Sequence, residues 1–275
     1  MYKQEDLLRI QSIEKEMLLA IDEVCKKLNI CYFSVGGTTL GAVRHNGFIP
    51  WDDDIDIGML RDDYDIFIEK APDIIDKKYS VQNFVFNKHI PFYHTKVMKN
   101  NTKFVEKGIE HLKIQKGIFV DIMPYDYLPE DFQTRNKVIK RQKFYSTLFG
   151  IKSQIRTFRR NKFKNILYTI IRFLLWLLLL PIPKKYFFKK YDASLKKINS
   201  SSMLGSRGYK EFVIQANDLF PLASHAFDEL TIPIPNNYDA VLRTQYGEYM
   251  VLPPLEKRFQ HEPLLLDFGD EDAEK

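Results

Sequence analysis

The run Asp54-Ile55-Asp56-Ile57-Gly58-Met59 alternates acidic and apolar residues. A period of two belongs to a strand with one face in a core. It predicts Ile55 and Ile57 inward and both carboxylates together on the other face. Carboxylates held that close repel, so one takes a proton or a cation sits between them. Hard divalent ions such as Mg²⁺ take oxygen ligands and keep positions open for phosphate oxygens. Two other readings exist. Asp runs also make turns and helix caps, and Asp52, Asp54 and Asp56 have EF-hand spacing. Ile57 and Asp63 stand where that loop needs Gly and Glu, which rejects it.

Upstream, residues 31–35 are short, apolar and β-prone. Gly36-Gly37-Thr38 reads as a turn into a short helix over 39–43, and residues 44–51 as a loop. Glycine lets a phosphate approach closely, and a helix start offers free N–H groups. Residues 4–28 show helical apolar spacing, as do 61–70. Strands are predicted near 94–98 and over 117–123, the latter stopped by Pro124. This strand carries Asp121, an acid that is costly in a core unless it faces a cleft or binds a cation. The bland alternative is an exposed strand-end Asp. Helical signals dominate after Asp131.

Charge is uneven along the chain. Residues 132–191 hold 16 Lys/Arg and no acid, leaving 25 basic against 36 acidic residues elsewhere. A basic block of this kind points to an anionic partner. Within it, residues 166–180 are apolar except for Thr169 and Arg172. As a helix they reach about 22 Å, short of the roughly 30 Å of a bilayer core. Arg156, Arg159, Arg160, Lys162 and Lys164 precede them, and Lys184, Lys185, Lys189 and Lys190 follow. With both flanks basic, an interfacial helix on anionic headgroups is favoured over a span. A buried helix or a dimer contact is the alternative. Cys25 and Cys31 are too few for a disulfide scaffold and fit a reducing cytosol. With the absence of a signal peptide this predicts a cytoplasmic protein, peripheral at the inner face of the membrane.

The run Gly36-Gly37-Thr38-Thr39-Leu40-Gly41-Ala42-Val43-Arg44-His45-Asn46-Gly47-Phe48-Ile49-Pro50-Trp51-Asp52-Asp53-Asp54-Ile55-Asp56-Ile57 resembles the LicD family, together with Phe119-Val120-Asp121-Ile122-Met123-Pro124 and Tyr246-Gly247-Glu248-Tyr249-Met250 with Pro253-Pro254. That family lies within the nucleotidyltransferase-fold superfamily and includes bacterial phosphocholine transferases and fukutin-type domains. The resemblance covers about residues 10–130 and 205–262. It implies an α+β fold, a mixed sheet flanked by helices, with a helical C-terminal portion carrying the interfacial helix. The expected organisation is a catalytic core over 1–130, a basic helical insertion over 131–200, a C-terminal catalytic part over 201–265 and a disordered acidic tail over 266–275.

The resemblance implies Asp54 and Asp56 as paired metal ligands and Asp121 as the third carboxylate. It also implies transfer of an alcohol phosphate such as phosphocholine from a cytidine diphosphate donor to a glycan or lipid-linked saccharide, in teichoic acid or lipopolysaccharide. Two Mg²⁺ ions (or Mn²⁺) would be held by the three acids, with Asp121 accepting the hydroxyl proton or holding the activating metal. Gly36, Gly37 and Thr38 would meet phosphate. Arg44 and His45 would reach phosphate oxygens or form a solvated helix end. Trp51 would stack on a base or choline, or wedge the core beside Pro50. Asp52 and Asp53 would bond the loop, bind metal-shell water or attract a quaternary ammonium. Arg207 and Lys210 are anion-binding candidates, and 246–249 with 258–261 would close the site by packing and acceptor contact.

There is no phosphate-loop motif, no dinucleotide fingerprint and no zinc motif. Two other functions compete: a nucleotidyltransferase acting on nucleic acid or protein, and an inactive membrane scaffold. A leucine-rich helix inside the basic block argues against nucleic acid.

Overall fold

A computed structural model describes residues 3–158, 161–193, 201–206, 212–258 and 260–269. The chain opens with α1 (Gln4–Leu28), whose Ile10, Met17, Ile21 and Val24 are buried at helical spacing. The αL residue Asn29 ends it. There follow β1 (Phe33–Ser34), α2 (Gly36–His45), β2 (Ile55–Leu60), α3 (Arg61–Ile74), β3 (Tyr79–Gln82), β4 (Thr95–Lys99), β5 (Lys103–Phe104) and the long β6 (Phe119–Leu128). Three helices come next: α4 (Phe132–Lys152), capped by Asp131 accepting from the Thr134 N–H, then α5 (Lys162–Leu178) and α6 (Lys184–Asp192). The remainder is β7 (Met203–Gly205), β8 (Ile214–Gln215), α7 (Ala216–Leu219), β9 (Ala223–Phe227), β10 (Leu230–Ile234), α8 (Tyr238–Tyr246) and β11 (Leu266–Asp267).

The main sheet runs β1-β2-β6-β4-β3, with β7 and β8 extending it from the far end of β6. Only β2 and β6 pair in parallel; the other pairs are antiparallel. Ile55, Ile57 and Met59 enter the main core with the apolar faces of α1 and α3. This is the mixed sheet flanked by helices that the sequence predicts. Among the described residues, no helix is long and apolar enough to cross a membrane.

Two expectations are corrected. Pro124 does not stop β6. On one side it pairs with Met59 of β2. On the other, β4 pairs only as far as Ile122 and β7 only from Asp126. The ring therefore falls in a gap between two partners, where a missing N–H costs nothing. The helical portion expected after Asp131 is present as α4, α5 and α6, followed by the short strands β7–β11 with α7 and α8 among them. The tail does not begin at 266, because β11 pairs with β5 and Phe268 packs against the core under the guanidinium of Arg9. Residues 270–275 lie outside the described residues, as do Arg159, Arg160, Arg207 and Lys210.

The far end of β6 is tied to α3 by charge. Arg61 donates from Nε and Nη2 to both oxygens of the buried Asp126, at 2.8 and 2.6 Å, and meets Asp192 of α6 at 3.3 Å. Removing one partner strands a buried charge. Arg61→Met should therefore lose about 3–5 kcal/mol in urea unfolding, and adding Asp126→Leu should recover most of it.

Candidate active site

Strand register brings the acids together. Asp56 and Asp121 are direct partners across the parallel β2–β6 pair. Asp54 precedes β2 by one residue, two positions from Asp56. The backbone of β2 is anchored from upstream: the Asp56 N–H donates to Thr38 Oγ1 at 2.8 Å, and the Val35 N–H donates to the Asp56 carbonyl at 3.1 Å. Thr38 is buried, so its hydroxyl positions β2.

Gly36 and Gly37 start α2, and both face the acids. Gly36 has φ +57°, and a Cβ there would lie 3.6 Å from Tyr246 Oη and 3.8 Å from Asp56 Oδ2. A Cβ on Gly37 would come within 2.7 Å of Asp52 Oδ2. A side chain at either position would intrude on this space. The Asp52 carboxylate thus rests beside the start of α2, where the positive end of the helix favours an anion.

Asp53 turns the other way. It is 1% exposed and accepts the His261 N–H at 3.0 Å and bonds its Nδ1 at 3.0 Å. Asp54 Oδ2 lies 3.9 Å from the same Nδ1. Asp53, Asp54 and His261 offer ligand atoms within 4.8 Å of one another. Asp121 meets His94 Nε2 at 3.2 Å and Lys96 Nζ at 3.6 Å. Lys96 is buried over the ring of Phe119 and also pairs with Glu106 at 3.1 Å. On α1, the wholly buried Glu14 faces this group of acids.

The rim carries the cations. Arg44 donates to the Tyr249 carbonyl at 2.6 Å and to His45 Nε2 at 2.9 Å. Burial and then Arg44 push the His45 pKa down. The Arg258 guanidinium covers the Trp51 ring at 4.3 Å, and Trp51 also packs against Leu40, Ile49, Leu242 and Tyr249. One face of that indole therefore already holds a cation from the chain itself.

The electrostatics call for a cation. Burial first, then Asp53 and Asp56, push Asp52 up to about 7. Burial, then Asp52, Asp53 and Asp121, raise Asp54 to about 7 against the pull of His261. Burial and the same acids hold the Glu14 carboxyl well above its usual range. Asp53 and Asp54 raise His261 to about 9 against its burial. A crowded oxygen donor set of this kind fits a hard divalent ion.

The sequence singles out Asp54, Asp56 and Asp121, and the fold places them on adjoining strands. It does not single out Glu14, His94 or Lys96. Tyr246 and His261 fall in the segments expected to close the site, with no role there beyond packing and acceptor contact. His261 lies 208 residues from Asp53, and no local spacing points to it.

Folding raises both Asp pKa values above 3.8 and that of His261 above 6.5. Each group therefore contributes stability at low pH that is lost as pH rises, through about 7 for the acids and about 9 for the imidazole. In EDTA the melting temperature should fall from pH 5 to pH 9. Mg²⁺ should raise it by several degrees at pH 8, far less at pH 5, and not at all in Asp54→Asn.

Known proteins place this geometry. Residues 29–163 match the model of the LicD/FKTN/FKRP nucleotidyltransferase domain. The lipopolysaccharide cholinephosphotransferase LicD of Haemophilus influenzae is 26% identical over 245 residues, 86% of this chain and 89% of that protein. Uncharacterized proteins of Rickettsia typhi and Rickettsia prowazekii are 35% and 32% identical, over 44% and 45% of this chain and 36% and 44% of their own lengths. Through residues 29–163, with similarity to a cholinephosphotransferase running over most of its length, the chain belongs to the LicD family.

Proposed function

We propose that this protein transfers phosphocholine, or a closely related alcohol phosphate, from a cytidine diphosphate donor to a sugar hydroxyl of a lipopolysaccharide-type acceptor, working at the cytoplasmic face of the membrane. The pairing of Asp56 with Asp121 across β2 and β6, beside Asp54, carries the reading. The similarity to the Haemophilus lipopolysaccharide cholinephosphotransferase supports the choice of phosphocholine and lipopolysaccharide.

Asp54, Asp56 and Asp121 would hold Mg²⁺, with His261 at the edge of the set. Once bound, the ion would supply charge to neutralise the donor diphosphate and to lower the pKa of the incoming hydroxyl. Arg44 and Arg258 supply guanidinium groups on the rim for the donor phosphates. Gly36 and Gly37 keep the space beside Asp56 free of side chains. His45 and Trp51 line the same rim, and Asp53 holds His261 in place. Asp121 takes the hydroxyl proton, and His94 Nε2, 3.2 Å away, can carry it onward.

Purified protein incubated with Mg²⁺ and a panel of cytidine diphosphate alcohols should release cytidine monophosphate from the choline donor above all others. Asp56→Asn or Asp121→Asn should lower that release by roughly a thousandfold or more, as loss of a group at the reacting centre does. No release from any donor, with acceptor lipid present, would favour an inactive scaffold.

A further inference from the structure

Helix α5 is mounted inside out. In a soluble protein an amphipathic helix turns its apolar stripe to the core and its polar face to water. Here the half-buried stripe is Asn165, Tyr168, Arg172 and Trp176, while from Ile166 onward the outward residues are apolar except for Thr169. Phe163 is 85% exposed, Leu178 73%, and Ile166, Leu167, Ile170 and Leu174 at least half. No residue of α5 is buried. Polar contacts tie it down: Arg172 donates to the Ile155 carbonyl at 2.8 Å, and Lys152 of α4 donates to the carbonyl of Leu179, just past the end of α5, at 3.0 Å. The contacts thus hold the helix with its apolar face directed away from the protein. An exposed apolar surface of this extent marks an interaction site.

The charge around it selects the partner. Lys162, Lys164, Lys185 and Lys189 are exposed on the flanking segments, and residues 132–191 contain no acid, although Arg156 pairs with Glu110 from outside that stretch at 3.0 Å. Greasy side chains flanked by these lysines fit an anionic lipid surface, where acyl chains meet the former and headgroups the latter. A second copy of this chain would bring the same cations against each other.

A cavity of about 470 Å³ lies under α5, walled by Ile151, Ile155, Phe158, Phe173 and Trp176 with Arg172. Ile155 also lines a second hollow of about 230 Å³, reached by Phe92, Tyr93, Phe149 and His94. His94 is the residue that touches Asp121. Ile155 thus lines both hollows, and the second one reaches a residue in contact with Asp121.

We propose that α5 lies in the surface of an anionic bilayer with Phe163, Ile166, Ile170, Leu174 and Leu178 among the acyl chains, and that the cavity beneath it admits the lipid portion of the acceptor and leads its sugar toward Asp121. The second clause rests on the reading of a lipid-linked acceptor; the first does not.

Flotation of the full-length protein with vesicles tests the docking. Wild-type protein should rise with phosphatidylcholine vesicles containing about 30% phosphatidylglycerol and not with pure phosphatidylcholine. Leu174→Glu/Leu178→Glu should lower the bound fraction roughly tenfold, with thermal melting and cytidine monophosphate release from the soluble donor unchanged. In Trp51→Phe, Trp176 is the one remaining indole, and brominated acyl chains should quench its emission when they enter the cavity. Equal flotation of the double variant, failure of the wild type to float, or a dimer in light scattering that the double variant dissolves would each overturn the docking. An unquenched Trp176 on bound vesicles would overturn the lipid cavity. Flotation that persists while no donor releases cytidine monophosphate would sink the catalytic reading and leave the docking standing.

Discussion

Carboxylates repel one another, and a protein interior magnifies that repulsion by removing water. This chain gathers Glu14, Asp52, Asp53, Asp54, Asp56 and Asp121 around one end of the β2–β6 pair. Most of the local architecture answers the cost. Asp53 is matched by His261, Asp121 by His94 and Lys96, and Asp52 by the start of α2. The raised pKa values of Asp52, Asp54 and Glu14 measure what remains unbalanced. Such crowding fits a site that takes up a cation.

The same economy explains how distant segments join the site. β4 delivers Lys96 opposite Asp121 through antiparallel register. The C-terminal segment returns past α8 to place Arg258 over Trp51 and His261 on Asp53, and β11 then pairs with β5. The site is closed by chain from both ends of the sequence, so its precision depends on the whole fold. The inverted mounting of α5 follows a similar logic: backbone carbonyls at Ile155 and Leu179 are satisfied by long basic side chains, and the apolar surface is turned outward.

Much of this was legible in the chain. The alternation around Asp56 specified β2 and the face its acids share. Apolar spacing specified α1, and the length and flanks of 166–180 specified a helix too short to span. The family resemblance rests on the run from Gly36 to Ile57, where turn, helix, loop and strand follow from neighbouring residues. What misled was equally physical. Pro124 reads as a stop because sequence does not reveal which edge of a strand lacks a partner. The short strands after α6 carry too few residues to display a period.

The sequence by itself determined which local segments form and which faces of them are acidic or apolar, because those depend on side-chain periods of two and about 3.6 residues. Only the tertiary structure decided that Asp56 meets Asp121, that Glu14, His94, Lys96 and His261 surround them, and that α5 turns its apolar face outward. Those facts depend on strand register and on contacts between residues far apart in the chain, and neither leaves a trace in local order.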